Sequence, residues 1–318
     1  MFKDIPIINK DLIIEKAFKR ASRIKFREKK IPFEIKIRDK EMARVEVASQ
    51  VINSMLEKVV KRYPTFEYLE PFYRELIDIT VSLDELKHNI GALSWGMKTI
   101  QKIKNETIRK MKRTRDIDRL GKLRKEAYGR YISVLKRIED NMEFLNSARE
   151  KLKQLPEVKS CYTIVIAGMP NVGKSTVLHD LTGAEPEVQS YPFTTKGINI
   201  GYFEYRHNEI QVIDTPGLLD RKFEDRNEME LKAILSLRHL AYLIVFVLDP
   251  SETCGYSLEE QLNLLEDVKS MEIPMIVSQN KSDLKYIADI PIKISAKNRD
   301  IEPLKREIFK RLDAELYQ

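Results

Sequence analysis

Apolar residues recur at three- and four-residue steps through the first half of the chain and in short continuous runs through the second. That change of period divides the molecule. Residues 8–30 carry Ile13, Ile14, Ala17, Phe18 and Ile24 at helical spacing, which predicts a helix ended by Pro32. Residues 39–62 lack Gly and Pro and set Met42, Val45, Val51, Ile52, Met55, Leu56 and Val59 along a second helix, stopped by Pro64. A third helix begins near Pro71 with Phe72, Leu76, Ile79 and Leu83, a fourth runs through Trp95 to Ile108, and residues 118–154 make the last. No alternating pattern competes. Residues 1–157 are therefore expected to form an antiparallel bundle of four or five helices, with Phe66, Tyr68, Phe72, Tyr73 and Trp95 in its core.

From residue 158 the pattern differs. Runs at 162–167, 198–205, 209–213, 243–248, 275–278 and 292–294 read as strands, and helical segments at 174–181, 227–238, 258–270 and from residue 301 alternate with them. The expected fold for residues 158–318 is a mostly parallel, doubly wound sheet. The whole chain is thus α followed by α/β.

The first strand leads into Gly168-Met169-Pro170-Asn171-Val172-Gly173-Lys174-Ser175-Thr176, a phosphate-binding loop between a strand and a helix. Gly168 and Gly173 permit a backbone whose N–H groups converge on phosphate oxygens, and the helix N-terminus adds partial positive charge. Lys174 is assigned to the β- and γ-phosphates and Ser175 to Mg2+. The strand at 209–213 delivers Asp214-Thr215-Pro216-Gly217, an acid for Mg2+ and a glycine N–H for the γ-phosphate. Asn280, Lys281 and Asp283 follow a later strand. A carboxylate there accepts from guanine N1–H and N2–H2, which adenine cannot offer, so Asp283 selects GTP and GDP over adenine nucleotides. Lys281 can lie across the base. Ser295-Ala296-Lys297 brings a backbone N–H to guanine O6.

Charge sharpens the division. Residues 1–157 hold 37 Lys and Arg against 24 Asp and Glu, a net +13, while residues 158–318 are net −6. A basic half points to an anionic partner. Nine basic residues fall between Arg109 and Lys125 (Arg109, Lys110, Lys112, Arg113, Arg115, Arg119, Lys122, Arg124, Lys125), and Arg20, Arg23, Lys25, Arg27, Lys29 and Lys30 repeat the pattern. A charge run is commonly a solvated face, but its recurrence within a basic half favours RNA phosphates over that reading. Cys161 and Cys254 have no metal-ligand spacing, and His88 has no evident partner. No run of about 18 apolar residues and no secretory signal pattern is present, so a cytoplasmic protein without integral membrane association is expected.

With these residues in view, the chain resembles the Obg-like branch of the translation-factor-class GTPases, and within it an archaeal member of the nucleolar GTP-binding protein 1 (Nog1) family. The resemblance rests on 168–176, Tyr191-Pro192-Phe193-Thr194-Thr195-Lys196, 214–217, Glu224-Asp225-Arg226-Asn227 and Asp249-Pro250-Ser251-Glu252-Thr253-Cys254-Gly255, with Pro71-Phe72-Tyr73-Arg74-Glu75-Leu76 upstream. It implies that Thr195, or failing it Thr194, binds Mg2+ and reports the γ-phosphate. It also implies a role in assembly of the large ribosomal subunit, with the helical half against ribosomal RNA and no DNA partner. Eukaryotic members continue beyond the GTPase domain, and contacts made by that extension are not carried over.

Leu218 stands where many signalling GTPases have a water-orienting glutamine, so slow intrinsic hydrolysis is expected. In related GTPases with asparagine at the position of Asn171, K+ supplies the missing charge, which makes K+ a candidate cofactor beside Mg2+. The main alternative is an RNA-binding assembly placeholder whose nucleotide is mainly structural. A peripheral membrane GTPase and a tRNA-modifying GTPase are weaker readings, the latter because its GTPase domain is inserted within the helices.

Overall fold

The computed structural model describes residues 2–24, 32–192, 194 and 197–316. Lys25, Arg27, Lys29 and Lys30 of the first basic segment lie outside the described residues, as does Thr195. Among the described residues six α-helices occupy the first half: α1 (Lys10–Ser22), α2 (Phe33–Val60), α3 (Pro71–Val81), α4 (Leu83–Arg113), α5 (Ile117–Arg137) and α6 (Glu139–Leu152). Side chains cap several starts: Asn9 accepts from Leu12 N–H, Ser82 from Glu85 N–H, and Asp116 from Asp118 and Arg119 N–H. Helix α2 begins well before residue 39, a start that apolar spacing does not show because its first turn, with Phe33 71% exposed, carries no core-facing pattern. The single helix expected over 118–154 is broken at Ile138 (φ −105°, ψ 14°). Ile138 is buried against Gly96 of α4, where an added Cβ would lie 2.8 Å from its Cδ1.

By contacts the chain forms two compact units, residues 1–69 with 81–153, and residues 70–80 with 154–318. In the first, Val45, Ile52 and Leu56 of α2, Leu93, Ile100 and Met111 of α4, and Tyr131 and Leu135 of α5 are fully buried. Glu41 is also buried, and its carboxylate takes Arg44 Nη1 at 2.6 Å and Arg124 Nε at 2.5 Å. Of the five aromatics assigned to the bundle core, Phe66 is buried there, Phe72 and Tyr73 are buried in the second unit instead, and Trp95 (41%) and Tyr68 (89%) are exposed. Helical spacing does not fix which face of a helix is covered. The Arg137 guanidinium lies 5.0 Å over the Trp95 ring.

The second unit holds β1 (Tyr162–Ala167), α7 (Lys174–Thr182), β2 (Glu187–Gln189), β3 (Ile198–Tyr205), β4 (Asn208–Asp214), α8 (Glu228–Ser236), β5 (Leu243–Leu248), α9 (Leu258–Lys269), β6 (Met275–Gln279), β7 (Ile292–Lys293) and α10 (Glu302–Leu316). The sheet runs β2-β3-β4-β1-β5-β6-β7, with β2–β3 and β3–β4 antiparallel and the remaining pairs parallel. Strand β2 is short and largely exposed, so no apolar run announces it. Every residue of β5 and all but the first of β1 are buried, as central parallel strands require. Helix α3 packs on this unit: the Tyr73 hydroxyl accepts Val158 N–H at 2.9 Å, and the Phe72 ring lies 6.5 Å from that of Tyr191. From β1 the chain goes to one side of that strand and later returns to the other. The reversal leaves a crevice at the carboxyl ends of the parallel strands.

Candidate nucleotide site

The phosphate loop, the Asp214 turn and the Asn280 and Ser295 segments leave those strand ends, whereas the 191–196 loop follows the antiparallel β2. Beyond β1 the chain turns through Gly168 (φ 138°) and Asn171 (φ 61°) to Gly173 (φ 103°) before α7 begins at Lys174. Two of these positions exclude any side chain. A Cβ on Gly168 would lie 2.4 Å from Val247 O, and one on Gly173 would lie 2.3 Å from Asn280 Nδ2. Lys174 is buried and donates to Gly168 O and Met169 O, both at 2.9 Å, which folds its ammonium back over the loop. Val172 is fully buried, Pro170 half-buried, and Asn171, Ser175 and Thr176 are exposed.

Asp214, the last residue of β4, is fully buried. Its Oδ2 accepts Ser175 Oγ at 2.7 Å and Asn199 Nδ2 at 3.1 Å, while its Oδ1 has no hydrogen-bond partner among the described residues. An orphaned buried carboxylate oxygen beside a serine hydroxyl suits a hard cation, so the residues present fit Mg2+. Asn199 was not anticipated; it is a polar residue inside an apolar strand pattern. Thr194, the fallback magnesium ligand, is tied into its own turn, donating to Tyr191 O at 2.9 Å and accepting Gly197 N–H at 3.1 Å.

Gly217 (φ 81°) is exposed, and its N–H donates to Asp220 Oδ2 at 2.7 Å. Arg226 is buried and donates to Gly217 O at 2.5 Å and to Leu218 O, holding this loop from the other side. Burial pulls the Arg226 guanidinium below its ordinary range. Sequence reasoning assigned neither Asp220 nor Arg226. Leu218 is buried, so its side chain faces the core. Tyr191, at the entrance to the 191–196 loop, is buried with its hydroxyl donating to Ala233 O of α8 at 2.8 Å.

The base-recognition segments converge through one amide. Asn280 donates from Nδ2 to Val172 O at 2.8 Å and accepts Ala296 N–H on Oδ1 at 2.9 Å, joining the phosphate loop to the Ser295-Ala296-Lys297 turn. Asp283 is exposed, and one of its oxygens accepts Ser295 Oγ at 2.6 Å. The other makes no hydrogen bond among the described residues, leaving an acceptor for a base edge. Lys281 (φ 57°) directs its ammonium to Asp249 at 2.7 Å. Lys297 is exposed, and Ser295 and Ala296 are buried.

The model of the NOG1 N-terminal helical domain family matches residues 2–159, and that of the 50S ribosome-binding GTPase family matches residues 163–281. An uncharacterized protein of Methanocaldococcus jannaschii is 46% identical over 89% of this chain and 81% of its own length. Nucleolar GTP-binding protein 1 of Caenorhabditis elegans is 34% identical over 89% of this chain, and that of Arabidopsis thaliana 35% over 85%. The chain spans 41% and 40% of those two proteins. With both halves matched in order, and with the phosphate loop, Asp214 and Asn280 gathered at the carboxyl ends of the parallel strands, the chain belongs to the nucleolar GTP-binding protein 1 (Nog1) family.

Proposed function

We propose that the protein is a GTP-binding and GTP-hydrolysing switch acting in assembly of the large ribosomal subunit, its basic helical half holding ribosomal RNA. The observation that carries the nucleotide part is the double engagement of Asn280, which ties phosphate and base segments into one site with the outward Asp283 oxygen at its rim. Lys174 and the loop N–H groups hold phosphates, and Ser175 and Asp214 hold Mg2+, joined by Thr195 on the family's pattern. Mg2+ supplies charge neutralisation on the β- and γ-phosphates. Thr195 and Gly217 then sense the γ-phosphate, and their release after hydrolysis changes the hold on RNA. The reading places the protein in the cytoplasm, and among the described residues no helix is long and apolar enough to cross a membrane.

Support for the RNA part is electrostatic. Arg109, Lys110, Lys112, Arg113, Arg115, Arg119, Lys122 and Lys125 are exposed around the end of α4 and the start of α5, whereas Arg124 is withdrawn to Glu41. Eight exposed cations make a phosphate-binding stripe. The buried Leu218 favours slow turnover and keeps the placeholder as a second reading.

The deciding experiment is co-sedimentation with large-subunit precursors in GDP and in a non-hydrolysable GTP analogue at two salt concentrations, repeated with Lys174→Ala. A switch shows nucleotide-dependent, salt-sensitive binding that Lys174→Ala uncouples. Binding indifferent to nucleotide and to that substitution supports the placeholder, and no binding rejects both.

A further inference from the structure

We infer that Asp249, just beyond the end of β5, is a positioning residue for base recognition: it holds Lys281 against the face of the guanine ring, assisted by Thr253. The inference rests on the guanine-nucleotide reading above and adds the segment 249–255 to its site.

Asp249 is fully buried, yet its carboxylate is saturated with donors. Oδ1 takes Ser251 N–H at 3.0 Å and the Ser251 hydroxyl; Oδ2 takes Thr253 Oγ1 at 3.0 Å, Cys254 N–H at 2.9 Å and Lys281 Nζ at 2.7 Å. The backbone is clamped as well. Gln261 of α9, itself fully buried, accepts Asp249 N–H at 2.7 Å and donates to Asp249 O at 3.0 Å. So much hydrogen bonding makes Asp249 a fixed point, since a buried charge persists only when its lone pairs are satisfied. Of its five donors among the described residues, only Lys281 carries a formal charge.

Lys281 is the flexible partner. Its side chain carries four rotatable carbons, and an unanchored lysine loses that freedom when a ligand orders it. Here the freedom is already lost. The backbone is held in the left-handed region at φ 57°, and the ammonium is caught by Asp249 and by Thr253 Oγ1 at 2.9 Å. With both ends fixed, the methylene stem is a preorganised apolar strip beside the base-recognition turn. Asp283 reads the base edge; Lys281, through Asp249, supports the base face.

This division of labour sets the test, a double-mutant cycle on the full chain with GDP, a non-hydrolysable GTP analogue and IDP, the inosine diphosphate lacking the exocyclic amine. Asp249→Asn should weaken GDP and the GTP analogue by the same factor, about tenfold for a charged hydrogen bond. Its GDP-to-IDP preference should be unchanged, while Asp283→Ala collapses that preference. Lys281→Met keeps the stem and removes the ammonium, so on that background Asp249→Asn should cost less than about twofold. A full tenfold loss on the Lys281→Met background, or a changed GDP-to-IDP ratio, overturns the inference. If Asp249→Asn does not fold, Thr253→Ala, expected to cost about two- to threefold, replaces it in the same cycle with the same criterion. Wild-type protein that binds no guanine nucleotide instead refutes the proposed function itself.

Discussion

The Asp220 carboxylate accepts the N–H of Gly217 at 2.7 Å, the amide assigned to the γ-phosphate. Two anions cannot share that donor. GTP must displace Asp220, whereas GDP, lacking the γ-phosphate, has no need to. Asp220→Ala should therefore raise affinity for a non-hydrolysable GTP analogue by about three- to tenfold and leave GDP nearly unchanged, the contact being partly solvated. Calorimetric titration of both nucleotides measures this, and an equal effect on the two would refute the competition.

Asn171 stands exposed at φ 61° in the phosphate loop, and its side chain makes no hydrogen bond among the described residues. Buried Leu218 cannot orient water. Hydrolysis should accordingly run about tenfold or more faster in potassium than in sodium buffer, and Asn171→Ala should remove the difference. Equal rates in the two salts would dismiss K+ as a cofactor.

Asp283 offers an acceptor to the base edge. Asp283→Asn presents an amide donor instead, which suits a carbonyl at the position of the guanine amine. The variant should lose GDP by about a hundredfold or more and gain xanthosine diphosphate. Competition against a fluorescent nucleotide reads both, and a retained guanine preference would contradict the assignment.

In the helical unit, burial pushes the Tyr63 hydroxyl up to about 12 from its ordinary 10.0, with the charge of Arg149 opposing. A raised folded value means that the native state keeps a proton the unfolded chain has released. The contribution is complete below pH 10 and is lost as pH rises through about 12. Tyr63 should contribute on the order of 2 kcal/mol to the decline that urea unfolding shows over that window, beside the other buried tyrosines Tyr131 and Tyr191, and Tyr63→Phe should make the decline smaller by that amount. A decline of the same size in the phenylalanine variant would assign it to other groups.

The stripe from Arg109 to Lys125 gives a salt prediction. Replacing Arg109, Lys112 and Arg113 by Glu should weaken binding to large-subunit precursors and flatten the dependence of log affinity on log salt, by about 0.7–0.9 for each phosphate no longer neutralised. Arg124→Glu should instead destabilise the bundle, since it faces buried Glu41. Measuring melting and binding on both variants separates the effects.

The sequence by itself determined the helical half, the mostly parallel sheet and the motif segments that leave its strands, because those features are local. A glycine at φ 138°, an acid at a strand end and a lysine opening a helix are dictated by short-range geometry and recur at fixed spacing. Tertiary structure alone decided which polar groups are already engaged. Asp249 and Lys281 are distant in sequence, as are Glu41 and Arg124, and their pairing depends on which faces the packed elements bring together. The same limit explains Trp95 and Tyr68, placed in the core by spacing and found exposed, and the break at Ile138, a buried residue packed against Gly96 of another helix. Helical and strand periods report which residues share a face. What covers that face, and which donor meets a buried charge, is set by chain segments tens of residues away.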